Sequence, residues 1–345
     1  MAIDIYRCSP RQTREFVIEA VEAGLVPFVQ SSPGMGKSSI MRNVAKHFNL
    51  KLIDHRLSTS PPEDMSGLPH FDKDGYARFA PFADLFPLRG TALPEGKEGW
   101  LINFDEFNSA KRDTQAASYK TILDKMVGQH YLHDNVAIVA AGNLATDRAI
   151  TNPISTAMQS RMVHIEMRID QEEWMQDVAI TENYDPRIIA FLGAYPSKLM
   201  DFKPEHTEKT FCCPRTWEFM DKLIRGKEVT ESRAPLYSGT ITSGVALEFI
   251  QYTKIFAELV NISEIIQNPS GVAVPIDNGT KWAMISHVME HVKADNLKEI
   301  STYIARFDLP FRILFFRSLM IRHSGLRQHP AFIEQMVAMS RYLNS

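Results

Sequence analysis

Short apolar runs punctuate the first half of the chain, and amphipathic stretches alone fill the second. Residues 26–30, 50–57, 100–104, 136–141 and 162–167 read as strands. Helical patterns lie between most of them. Phe16, Val17, Ala20 and Val21 fall at helical spacing within 10–23, and 39–46 and 113–126 are further helices. Short apolar strands alternating with helices predict a parallel sheet covered on both faces. Beyond Arg168 the pattern turns helical at 171–181, 186–192 and 214–224, then at 244–265, 281–293 and 309–322. Segments 226–240 and 267–280 are rich in turn residues and predict loops.

Length changes this picture first. A chain of 345 residues exceeds one hydrophobic core and implies two domains. At 44% hydrophobic and 23% charged, its composition is that of an ordinary globular protein. A net charge of −3 provides no global attraction to nucleic acid or to an anionic membrane, although it permits a local basic patch. Cys8, Cys212 and Cys213 have no metal-type spacing. The adjacent pair reads as packing residues in a reducing compartment. The N-terminal residues lack an apolar stretch of signal-peptide length, and no run reaches membrane-spanning length. The expectation is a cytoplasmic protein.

The candidate chemistry begins where the first strand meets the next helix. Ser31-Ser-Pro-Gly-Met-Gly-Lys-Ser38 stands between them, in the order strand, glycine-bearing turn, helix. A phosphate-binding loop needs that order, because its backbone N–H groups and the helix N-terminus present positive partial charge to phosphate oxygens. Ser32, Pro33, Gly34, Met35, Gly36, Lys37, Ser38 and Ser39 are the candidate nucleotide-binding residues. Lys37 can reach the β- and γ-phosphates, and the Ser38 hydroxyl can ligate Mg²⁺. The pattern departs from G-x-x-x-x-G-K-[ST] at one place, where Ser31 stands for the first glycine.

The strand at 100–104 ends in Asp105-Glu106, the Walker B arrangement. Asp105 would hold Mg²⁺ together with Ser38, and Glu106 would polarise the attacking water. An acidic loop after a buried strand is the plainer alternative. The strand at 136–141 runs into Gly142-Asn143, where a neutral amide can orient the lytic water or can simply make a turn.

These residues resemble the AAA+ ATPases, within them the MoxR and dynein-related (midasin-like) branch. The resemblance rests on the phosphate loop, on Pro62-Glu-Asp-Met-Ser-Gly-Leu-Pro69, on Gly99-Trp-Leu-Ile-Asn-Phe-Asp-Glu-Phe-Asn108 and on Ala141-Gly-Asn143. Thr156-Ala-Met-Gln-Ser-Arg-Met-Val163 is similar to the segment carrying the family's arginine finger, at Arg161. Cys213-Pro-Arg215 is similar to the second sensor, at Arg215, opening a lid helix. Arg148 and Arg112 are rivals to Arg161 for the trans-acting role, which suits a permanently charged planar guanidinium. The resemblance implies a P-loop NTPase parallel sheet with flanking helices, followed by an all-α lid and a C-terminal helical region. The expected boundaries are a nucleotide-binding domain at 1–168 with a hairpin insert near 66–82, a lid at 169–226 and a helical extension at 227–345. It also implies ATP and Mg²⁺ as cofactors and a ring of identical subunits, a hexamer.

Asp74-Gly75 between two short alternating runs signals the hairpin independently. Its Phe71 and Tyr76 either grip a partner in the ring channel or form a small local core. Arg312, Arg317, Arg322 and Arg327 recur every fifth residue, so successive ones lie about 140° apart on a helix and make no single basic face. They are expected at subunit contacts on a buried apolar helix. Three functions remain open. The first is a remodeller of a protein partner, with MoxR-like chaperone activity. The second is a nucleic-acid motor or loader, for which Lys73, Arg78, Lys111 and Arg112 speak. The third is a nucleotide-gated scaffold.

Overall fold

The computed structural model describes residues 7–147 and 151–343. They divide into two compact units, residues 1–170 and 171–345.

The first unit contains β1 (Arg7–Cys8), α1 (Pro10–Glu22), β2 (Val26–Ser31), α2 (Lys37–His47), β3 (Leu50–Arg56), α3 (Pro62–Ser66), β4 (Leu68–Phe71) and β5 (Ala77–Ala80). Next come β6 (Gly99–Asp105), α4 (Arg112–Asp124), β7 (Met126–Val127), β8 (His130–Tyr131), β9 (Val136–Asn143), α5 (Thr156–Gln159) and β10 (Met162–Met167). Six strands form one sheet in the order β1–β10–β2–β9–β6–β3, and every neighbouring pair is parallel. This is the parallel sheet that the alternating pattern predicts, with the short edge strand β1 added. Parallel strands bury both faces, and all seven residues of β6 are buried. One face packs Phe28, Trp100, Ile102 and Phe104 against Phe86, Met65 and Ile122. Helix α1 starts at a capping box, in which Ser9 and Gln12 bond each other's backbone N–H through their side chains. Pro10 stands at the first helical position.

The second unit is helical throughout: α6 (Gln171–Trp174), α7 (Pro186–Ala194), α8 (Pro214–Ile224), α9 (Ala234–Ile241), α10 (Ser243–Ala257), α11 (Ile262–Gln267), α12 (Asn278–His291), α13 (Leu297–Ile304), α14 (Leu309–Arg322) and α15 (Pro330–Leu343). Trp174 is followed by a turn of wide π-helix through Ile180. Its core includes Tyr303, Phe315, Phe316, Leu297 and Met284.

Two local expectations change. The loop expected over 226–240 contains most of α9, because Tyr237 and Ile241 are fully buried and tertiary packing overrides the turn-rich composition. The long helix expected over 244–265 breaks between α10 and α11, where the Asn261 side chain accepts from Ser263 N–H and starts a new helix. Of the four regularly spaced arginines, three bond inside their own unit. Arg312 reaches Gln335, Arg322 reaches the Tyr184 carbonyl and Arg327 donates twice to Met320. Cys212 and Cys213 are buried and unpaired with one another, as packing cysteines are. Burial pushes the Cys212 thiol up to about 12. Among the described residues no helix is long and apolar enough to cross a membrane.

Candidate functional site

Parallel pairing sets the site. Ser31, the last residue of β2, lies in register with Asn143, the last residue of β9. Beyond it, Phe104 on β6 aligns with Ala140. Asp105, Asn143 and the turn after Ser31 therefore come out at one end of the sheet. It is the carboxyl end, where open α/β sheets bind ligands.

The turn itself needs glycine twice. Gly34 has φ 77° and Gly36 has φ 90°, the left-handed region that a Cβ disfavours. Gly36 is the residue before α2, so the N–H groups of the first helical turn open onto the space above the loop. Met35 is buried and anchors the tip. Lys37 folds back over the loop. Its Nζ donates to the Ser31 carbonyl at 3.0 Å, to Ser31 Oγ at 3.1 Å, to the Ser32 carbonyl at 3.3 Å and to Asn143 Oδ1 at 3.2 Å. The serine in the first glycine's place thus supplies two of the four acceptors, and it is fully buried. Ser38 is half-buried on the first turn of α2, and exposed Ser39 accepts from Arg42 at 2.8 Å.

Asp105 is 7% exposed. Burial pushes its carboxyl above the ordinary carboxylate range, and neighbouring Asp54 and Glu106 push it the same way. Lys37 and the Glu106 N–H, which donates to Asp105 Oδ1 at 3.0 Å, act against them. A buried carboxylate crowded by like charge gains from a divalent cation. Among the described residues no group of three or more His, Cys, Asp or Glu side chains could hold a metal alone. Mg²⁺ binds through one or two protein oxygens and substrate phosphates rather than in an all-protein cage. Ser38 and Asp105 are the residues that would hold it.

Glu106 carries backbone strain. Its φ of 53° and ψ of 35° are left-handed, which is uncommon for a residue other than glycine. Its carboxylate accepts from the Ser58 hydroxyl and lies 3.9 Å from the Arg56 guanidinium. Sequence reasoning missed both partners. The available signal was their place at and just after the end of β3, because Arg56 is in register with Asp105.

Arg161 is exposed between α5 and β10, and its Nη1 donates to the Ala157 carbonyl at 2.7 Å. It precedes Met162, whose partner is Val26 at the start of β2. Five strand residues separate Val26 from Ser31, about 16 Å at roughly 3.3 Å per residue. Arg112 is exposed at the first position of α4. Arg148 lies outside the described residues. Arg215 is exposed in the first turn of α8, in the second unit.

No protein-family model matches the sequence, and no curated protein aligns with it significantly. Among solved structures, it is similar to a single-site variant of RuvB from Thermotoga maritima, with 14% identity, 86% of each chain covered and a TM-score of 0.41. It is similar too to the T. maritima RuvB Holliday junction branch migration motor, with 15% identity, 86% of each chain covered and a TM-score of 0.39. Likenesses of this size carry no argument about activity.

Proposed function

We propose that this chain is a Mg²⁺-dependent ATPase of the AAA+ type, closest to the MoxR and dynein-related branch, working as a ring that remodels a protein partner. One observation carries the reading: a glycine-turned loop, a buried carboxylate and an amide-bearing strand end meet at the carboxyl end of a parallel sheet, with Lys37 bonded to Asn143. Phosphoryl transfer asks for positioning and charge more than for covalent help, and this set supplies both. Lys37 and the loop N–H groups would bind the phosphates. When bound, Mg²⁺ supplies charge neutralisation between the phosphates. Glu106 would take the proton side of the attacking water, and the Asn143 amide would orient that water.

The test is Glu106→Gln. The variant keeps the loop and Asp105, so it should bind ATP with Mg²⁺ as the wild type does, while turnover falls below detection. Tight binding with unchanged turnover would overturn the assignment.

The hairpin favours a protein partner over nucleic acid. Strands β4 and β5 pair antiparallel, Phe71 opposite Ala77, and every strand residue on both is exposed. Phe71 is 78% exposed and Tyr76 is 70% exposed, so neither ring packs in a local core. Asp72 ties the turn together by accepting from the N–H groups of Asp74 and Tyr76 and from Arg78. The Arg78 charge is thereby countered within the hairpin, and the Asp72 carboxyl is held below its usual range, chiefly by that bond. What remains prominent is aromatic surface, which suits an unfolded or extended polypeptide. Phe71→Ala with Tyr76→Ala should keep the basal ATPase and shift Tm by only about 1–2 °C, as exposed substitutions do, while removing stimulation by the partner. A large fall in Tm together with a uniformly weak enzyme would place the rings in the core.

A further inference from the structure

Asn108 grips the backbone of Asn143 from both sides. Its Nδ2 donates to the Asn143 carbonyl at 2.7 Å, and its Oδ1 accepts from the Asn143 N–H at 3.0 Å. One side chain thus satisfies the two backbone groups that a neighbouring strand would have taken at the point where β9 ends. The fit is close. A Cβ on Gly142 would lie 2.4 Å from Asn108 Oδ1, so glycine before Asn143 makes the space for the grip.

Asn108 is itself held. It is 4% exposed. Its carbonyl accepts from the Asn152 N–H at 2.6 Å, and the Asn152 side chain donates to the Ala110 carbonyl at 2.8 Å. The preceding residue, Phe107, is fully buried and meets the Phe28 ring edge-on at 5.7 Å. The donors and acceptors therefore run from Asn152 through Asn108 and Asn143 to the Lys37 ammonium. Of these residues, Lys37 opens the helix after the loop and Asn143 bonds to it. A water-orienting amide is useful only if its backbone is fixed, since misplacement by about 1 Å can cost roughly 10²-fold in rate.

We propose that Asn108 is a positioning residue for hydrolysis: its paired bonds to the Asn143 backbone fix the aim of the Asn143 side chain at the phosphate loop. The inference rests on the ATPase reading above. It separates the grip from nucleotide affinity, because Asn108 makes no bond to the loop itself.

The test compares Asn108→Ala, Asn108→Asp, Asn143→Ala and the combined Asn108→Ala, Asn143→Ala protein in full-length chain. ATP affinity is measured with Mg²⁺, turnover under saturating ATP, and folding by Tm. Asn108→Asp keeps the size and the acceptor for the Asn143 N–H, but sets an oxygen against the Asn143 carbonyl. It should fold even if Asn108→Ala does not. Both Asn108 variants should lose about 10²-fold in kcat with ATP affinity unchanged. The combined variant should be no slower than Asn143→Ala alone, since both changes remove one function. Folded Asn108 variants with wild-type kcat would overturn the proposal, as would losses that multiply in the combined protein. A wild type that does not turn over ATP would overturn the ATPase reading and this inference together. An active wild type with indifferent Asn108 variants overturns this inference alone.

Discussion

Lys37→Ala should abolish ATP binding while leaving the fold intact. The lysine gives the loop its only side-chain cation, and its Nζ sits among four oxygens of Ser31, Ser32 and Asn143. Those four contacts are to neutral acceptors, and a bound phosphate would offer the ammonium a charged one. Removing it leaves the loop N–H groups and the helix terminus, which are partial charges, facing a polyanion. The protein should survive because the lost bonds go to two backbone carbonyls, a hydroxyl and the Asn143 side-chain oxygen, not to the packed face built on Phe28, Ile102 and Phe104. Titration calorimetry with ATP and Mg²⁺ should show no heat of binding for the variant at concentrations that saturate the wild type. Retained affinity would mean that the loop is a structural turn. The contrast with Glu106→Gln, which should bind and not turn over, divides the site into a holding part and a reacting part.

How much of this could be read from sequence differs by region, for physical reasons. The central strands β2, β6 and β9 were legible because parallel strands buried on both faces are short apolar runs, and 100–104 in β6 shows that pattern plainly. The phosphate loop was legible because two left-handed positions in one turn demand Gly34 and Gly36. β1 was not, because two residues at a sheet edge carry no periodicity. Ser58 escaped because its partner Glu106 is far away in sequence, and the bond exists only once β3 and β6 align. Asn108 was visible as part of an apolar-to-acidic strand end, yet nothing local says that its amide reaches across to Asn143. The second unit was harder throughout. Helices α13 and α15 lie outside the helical segments expected from the sequence, although Ile300, Tyr303 and Ile304 of α13 are fully buried. The loop over 226–240 was misread because proline, glycine and threonine describe a turn unless tertiary contacts bury the helix they begin.

Arg161→Ala should lose turnover by roughly 10³–10⁵-fold and regain part of it when mixed with Lys37→Ala protein. The structure motivates the expectation through distance. Arg161 stands at the start of β10, level with the beginning of β2, whereas the phosphate loop follows the end of β2. The backbone at Arg161 is set back from the end of β2 by about 16 Å along the strand, and Arg161 is exposed, with Nη1 donating to the Ala157 carbonyl. On the proposed ring reading such an arginine would serve another subunit, and each site would be incomplete in the monomer. In a ring the contacts run head to tail, so one subunit's arginine end meets the next subunit's loop end. The Arg161→Ala subunit keeps an intact loop, and the Lys37→Ala subunit keeps an intact arginine. Where the first receives the second's Arg161, a complete site forms. In an equal mixture about one site in four satisfies both conditions, far above the residual rate of either variant alone. Turnover should rise on mixing, and wild-type specific activity should rise with protein concentration as rings assemble. Turnover by a proven monomer, independent of concentration, would place the transition-state arginine within the chain itself, and Arg112 would then be the residue to replace next.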